Sequence, residues 1–229
     1  MSPEELAARL LYRDALMLVI DKPAGLPVHA GPRGGDHLMK FLDGLRFGLP
    51  RAPELAHRLD RDTSGCLVLG RHRKALARLG ELFATAGSVE KTYWAVVVGS
   101  PPGEAGTIDA PLKKLERKHG WRMVVDPKGQ PSVTDWRVLG RTDRLAWVEA
   151  RPRTGRTHQI RVHLASIGCP IVGDSTYGRG TADLVSPALH LHARAVSVPL
   201  YRNKPPVAVT APVPEHMRAL LAACGWSGE

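Results

Sequence analysis

Cysteine is scarce in this 229-residue chain, with only Cys66, Cys169 and Cys224 present. Their wide spacing excludes a disulfide framework and a CxxC zinc pair. Reduced, buried thiols are expected, since free cysteine packs as a small hydrophobe. No run approaches the ~18 consecutive apolar residues of a membrane-spanning helix. The opening Met1-Ser2-Pro3-Glu4-Glu5 is acidic and lacks the basic start of a signal peptide. A cytoplasmic protein without membrane contact is therefore expected. Neither a P-loop nor a dinucleotide-binding glycine fingerprint occurs, and no carboxylate or cysteine clusters with His190 and His192. No cofactor and no metal are expected.

Positive charge, by contrast, is plentiful. Thirty-two Lys and Arg face 22 Asp and Glu, a net charge of +10, which suits a polyanionic partner such as RNA. Abundant Arg, Ala, Gly and Pro leave a compositional bias as the other account of that excess. Apolar residues, 43% of the chain, suffice for a globular core. The length suits one large domain or two halves sharing a cleft.

Hydrophobic periodicity and breakers divide the chain into short elements. Ser2 to Glu5 opens a capped helix that runs into Leu6 to Leu11. Leu16 to Ile20 is a strand stopped by Pro23-Ala24-Gly25. A Gly/Pro loop at 31–36 precedes a helix from His37 to Phe47. Cys66 to Leu69 is a compact apolar strand, and Lys74 to Phe83 has helical spacing. Strands follow at Thr92 to Val98, Val133 to Leu139 and Leu145 to Ala150, with a hairpin turn at 140–143. Pro101 to Gly129 reads as a polar, Lys-rich, mobile connection. Thr157 caps a helix from His158 to Ile167, closed by Gly168 and Pro170. Leu189 to Val198 and Val207 to Val209 are late strands, and Glu215 to Ala223 is a final helix. Strands follow strands more often than they alternate with helices, which predicts an α+β protein with a largely antiparallel sheet and flanking helices.

The densest chemistry lies in His57-Arg58-Leu59-Asp60-Arg61-Asp62-Thr63-Ser64-Gly65, directly before the strand at Cys66. Exposed ion pairs, Arg58 with Asp60 and Arg61 with Asp62, are one account of it. The other is a carboxylate presented at the strand entrance by the Thr63-Ser64-Gly65 turn.

That nonapeptide, HRLDRDTSG, resembles the signature of RluA-type pseudouridine synthases. Three further segments fall in the same order. Asp21-Lys22-Pro23-Ala24-Gly25-Leu26 resembles the family's NKPxGL motif, with Asp for Asn. Lys91-Thr92-Tyr93 resembles its K-x-Y strand. Arg153 to Leu164 (RTGRTHQIRVHL), continued by Gly168 to Tyr177, resembles its GRTHQIRVH block. The resemblance covers roughly residues 14–212.

It implies the pseudouridine synthase fold with a central RNA-binding cleft, and isomerisation of a uridine in structured rRNA or tRNA after base flipping. It also implies that Asp60 is the catalytic carboxylate, Tyr93 the aromatic against the flipped base, and Arg161 the guanidinium that keeps Asp60 ionised. An arginine within ~4–6 Å opposes the tendency of a buried carboxyl to go neutral. Arg58, His57, Lys91, Arg156 and His158 are expected to contact substrate. Residues 1–13 are expected to be a helical extension and 14–229 one catalytic domain in two sub-halves. A separate N-terminal RNA-binding domain is not expected, and a monomer is. A non-catalytic RNA-binding or ribosome-assembly protein is the alternative.

Overall fold

A computed structural model describes residues 1–31, 34–117, 120–178 and 186–228. In chain order the elements are α1 (Pro3–Ala7), β1 (Leu10–Arg13), β2 (Met17–Lys22), β3 (Glu54–Leu55), β4 (Ser64–Gly70), α2 (Arg73–Ala84), β5 (Glu90–Val98), β6 (Ala105–Asp109), β7 (Leu112–Arg117), β8 (Gly120–Val125), β9 (Val133–Arg141), β10 (Leu145–Pro152), α3 (Gln159–Ser166), β11 (Leu191–Val198), β12 (Val207–Thr210) and α4 (Glu215–Ala223). The protein is α+β, with short helices and a preponderance of strand. Two compact units divide it: Met1–Lys91 with Ala193–Pro212, and Thr92–His192 with Val213–Glu229.

In the first unit β2 pairs antiparallel with β1 and with β4, in a register that sets Lys22 opposite Gly65. Met17, Val19, Cys66 and Val68 form one face and pack with Leu79 and Leu82 of α2. Their neighbours Leu18, Ile20, Leu67 and Leu69 are fully buried as well. Burial on both faces explains why β4 appears as a continuous apolar run.

The second unit pairs β5, β10, β9 and β6 antiparallel in that order. Its faces are covered by different helices. Ala95, Val97, Val148 and Ala150 pack with Ile160 and Leu164 of α3. Val96, Leu145 and Trp147 pack with Met217 and Leu221 of α4. The two-residue alternation of β5 thus sends successive side chains to opposite helices.

Three sequence expectations change. Helix α1 has the expected cap, Ser2 Oγ accepting the Glu5 N–H and Glu5 accepting the Ser2 N–H, but it ends at Ala7. Leu10 and Leu11 belong to β1, because pairing with β2 outweighs helix propensity. Residues 1–13 are therefore woven into the first unit and do not stand before it as an extension. His37 to Phe47 forms two 3-10 turns, Leu38–Lys40 and Leu42–Leu45. Gly44 weakens an α-helix there, and a Cβ at that position would lie 2.6 Å from the Pro3 Cβ. The third change is at Pro101 to Gly129, which holds three strands: β6 at the sheet edge and the β7–β8 pair.

Candidate active site

In the first unit, Asp60 sits on the loop entering β4. Its carbonyl accepts the Thr63 N–H at 3.2 Å, closing a turn whose flanks, Leu59, Thr63 and Ser64, are buried. Gly65 then needs its glycine: φ is +105°, and a Cβ there would collide with the Ala193 carbonyl. Asp60 is half-buried and Arg58 exposed. Arg61 and Asp62 form the expected exposed ion pair at 2.9 Å.

Lys22, in the Asp21–Leu26 segment, anchors this loop. The side chain is fully buried, and Nζ donates to the carbonyls of Pro23 (2.7 Å), Leu26 (2.8 Å) and Arg61 (2.9 Å). Burial pulls its ammonium down to about 7, against Asp62, Asp60 and Asp21, which favour the charge. Only the protonated amine has three N–H groups for these three acceptors. One ammonium thereby ties the turn after β2 to the peptide next to Asp60.

His57 departs from the expected substrate contact. Its Nε2 accepts the Val68 N–H at 3.0 Å and its ring stacks on Phe83 at 4.2 Å. Burial, helped by the Lys91 charge, lowers its pKa to about 3, so the ring stays neutral. His57 holds β4 in place. Burial also pulls the Lys91 ammonium down from its usual range.

In the second unit Tyr93, paired with Ala150, lies on the β5 face that carries Ala95 and Val97, the face covered by α3. Arg161, on α3, is buried. Its Nε and Nη2 grip Asp174 Oδ2 and Oδ1 at 2.7 and 2.9 Å. The partner in this fork, Asp174, lies inside the Gly168–Tyr177 segment, and the sequence alone assigned it no role. Burial pushes the Asp174 carboxyl up, but the hydrogen bond and charge of Arg161 and the Tyr177 and Thr176 N–H groups outweigh it and hold the pKa below the usual carboxylate value.

The start of α3 is not capped by Thr157. His158 is the cap residue, in the left-handed region at φ 55° and ψ 18°, without a side-chain cap bond. Gln159 organises the entrance instead. Its Oε1 accepts from the Thr154 hydroxyl and the Arg156 N–H, while its Nε2 donates to Val133 O and Thr134 Oγ1. Arg156 is exposed and donates from Nε to the Pro131 carbonyl at 3.2 Å, the neighbouring loop. His158 stacks on Trp121, and its Nδ1 meets Tyr177 Oη at 2.8 Å. His163, five residues on, lies between Thr134 Oγ1 and Ala110 O and is structural.

All three cysteines are buried, and burial pushes the Cys66 thiol up to about 12. His190 and His216 turn ring nitrogens to the backbone carbonyls of Ala188 and Leu189. Among the described residues no group of three His, Cys, Asp or Glu side chains could hold a metal ion.

The sequence profile of RNA pseudouridylate synthases matches residues 16–166. An uncharacterised RNA pseudouridine synthase of Zymomonas mobilis is 46% identical over 212 residues, covering 92% of this chain and 95% of the relative. The ribosomal large subunit pseudouridine synthase D of Xanthomonas campestris is 38% identical over 238 residues, 97% of this chain and 71% of that one. Among solved structures, the human RNA pseudouridylate synthase domain containing 4 superposes with a TM-score of 0.80 at 29% identity, covering 96% and 94% of the two chains.

Proposed function

As the chain belongs to the RNA pseudouridylate synthase family, it is an isomerase that converts uridine in RNA to pseudouridine, and we propose that Asp60, Tyr93 and Arg161 carry the chemistry. The bond from uracil N1 to the sugar C1′ breaks, the base turns, and C5 takes the place of N1. C5 gives up its proton and N1 ends with one, so no electron is exchanged with an outside reagent. Asp60 supplies the carboxylate beside the sugar. Tyr93 lies against the flipped base, and Arg161 provides fixed positive charge that favours ionised Asp60. Arg58, Lys91 and Arg156 contact the RNA.

The observation that carries this reading is the attachment of Lys22 to the Arg61 carbonyl. A buried ammonium spent on the peptide beside Asp60 suits a carboxylate whose position matters. A surface ion pair would need no such support.

Structured RNA of the large ribosomal subunit is the proposed substrate class, on the strength of relatives named for that activity. The enzyme is proposed to work in the cytoplasm as a monomer, without cofactor or metal. Tritium release from RNA labelled at uridine C5 tests the reaction without knowledge of the site. Release from large-subunit rRNA is expected. Tight RNA binding without release would favour the non-catalytic alternative.

A further inference from the structure

Within the second unit, a connected set of side chains runs from the surface to Arg161. Trp121 on β8 is 42% exposed despite its size. The Lys114 ammonium lies 5.3 Å from the centre of its ring, and the His158 imidazole stacks on it at 5.2 Å and 26°. His158 Nδ1 is 2.8 Å from Tyr177 Oη, which also accepts the N–H of Met123 at 3.1 Å. Strand β8 therefore holds the His158–Tyr177 pair at both ends, by the Trp121 ring and by the Met123 backbone. The Arg161 guanidinium in turn lies over the Tyr177 ring at 5.1 Å. The Tyr177 N–H donates to Asp174, whose carboxylate holds the arginine fork.

His158 adopts a left-handed backbone, uncommon for a residue with a Cβ. Such a conformation persists where its surroundings over-determine it, and the Trp121 stack and the Tyr177 bond are two such restraints. Ordinary core packing would not place an exposed tryptophan beside a lysine at the outer end.

We propose that His158 is a positioning residue that couples the β7–β8 hairpin to Arg161. Through Tyr177 it sets the pose of the guanidinium, so displacement of Trp121 from its stack loosens the arginine. The coupling is a property of the second unit alone. Its consequence for turnover rests on the role of Arg161 proposed above.

Two readouts on the full chain test it: exchange of the Arg161 Nε–H by NMR, and single-turnover tritium release at saturating enzyme. Trp121→Ala removes the outer ring, and Trp121→Phe restores one. His158→Asn keeps a residue that tolerates the left-handed backbone and loses the stack. Tyr177→Phe keeps the ring beneath Arg161 and loses the hydroxyl. Trp121→Ala and His158→Asn should each speed Nε–H exchange at least about tenfold and slow turnover about tenfold. Trp121→Phe should recover most of both, and the Trp121→Ala/His158→Asn double variant should add little to the worse single. Unchanged exchange in Trp121→Ala, His158→Asn and Tyr177→Phe overturns the proposal. So does an effect confined to RNA affinity with single-turnover rates intact. If exchange responds but the wild type releases no tritium, the coupling stands and the chemistry assigned to Arg161 falls.

Discussion

Arg161 and Arg156 stand five residues apart in one motif, yet their surroundings give them different work. Arg161 is buried with its fork on Asp174, while Arg156 is exposed and donates to a loop carbonyl. A lysine at 161 keeps the charge but cannot make two parallel bonds to one carboxylate. Arg161→Lys should cut single-turnover rates roughly 10²-fold with little change in RNA affinity. Arg156→Lys should mainly weaken affinity, and rapid-quench kinetics at saturating enzyme separates the two. The opposite pattern would exchange their roles. His57 makes a different prediction, through pH. Its pKa is about 3 in the folded chain against 6.5 for the free group, so between those values the unfolded chain binds a proton that the folded one refuses. Stability therefore rises with pH from about 3 to 6.5 and gains nothing from His57 above that. His57→Gln should lose less Tm than the wild type between pH 7 and pH 4.5. Equal losses would mean the ring is not held neutral.

Loop entrances, more than the strands themselves, place the candidate site. Lys22 at the end of β2 holds the Asp60 loop, and Gln159 at the start of α3 holds the turn before Arg161. Lys22→Met would leave the carbonyls of Pro23, Leu26 and Arg61 without their donor. A loss of roughly 3 kcal/mol or more is expected in urea unfolding, since each buried orphan costs about 1–3 kcal/mol. An unchanged midpoint would show that Lys22 anchors nothing. The same elements show which features a sequence exposes. Strand β4 and helix α4 were legible because burial imposes a pattern on every turn or pleat. Strands β7 and β8 were not. Lys113 to Arg117 is exposed throughout, so no alternation marks it as strand, and its order comes from pairing with β8. The left-handed backbone at His158 was equally hidden, since a Thr before an apolar run signals an ordinary cap. The motifs did mark Asp60, Tyr93 and Arg161 as candidates. The supporting partners Lys22 and Asp174 were visible only once the fold brought them 39 and 13 residues along the chain to their contacts.

Across the whole molecule, a charge of +10 and a family that acts on RNA argue for binding dominated by phosphate contacts. Affinity should fall steeply and linearly on a log–log plot against salt, as measured by filter binding or fluorescence anisotropy. A flat plot would assign the excess charge to composition. That same dominance of phosphate contacts makes it possible to remove the chemistry without removing the complex. Asp60→Asn keeps the size and shape of the side chain and deletes only its charge. The most direct test is therefore single-turnover tritium release by Asp60→Asn, with RNA affinity measured in the same preparation. The expected result is no release, with affinity within a few fold of the wild type. Turnover above about one percent of wild type in a clean preparation would contradict the assignment, since losing the carboxylate that starts a reaction removes far more than that.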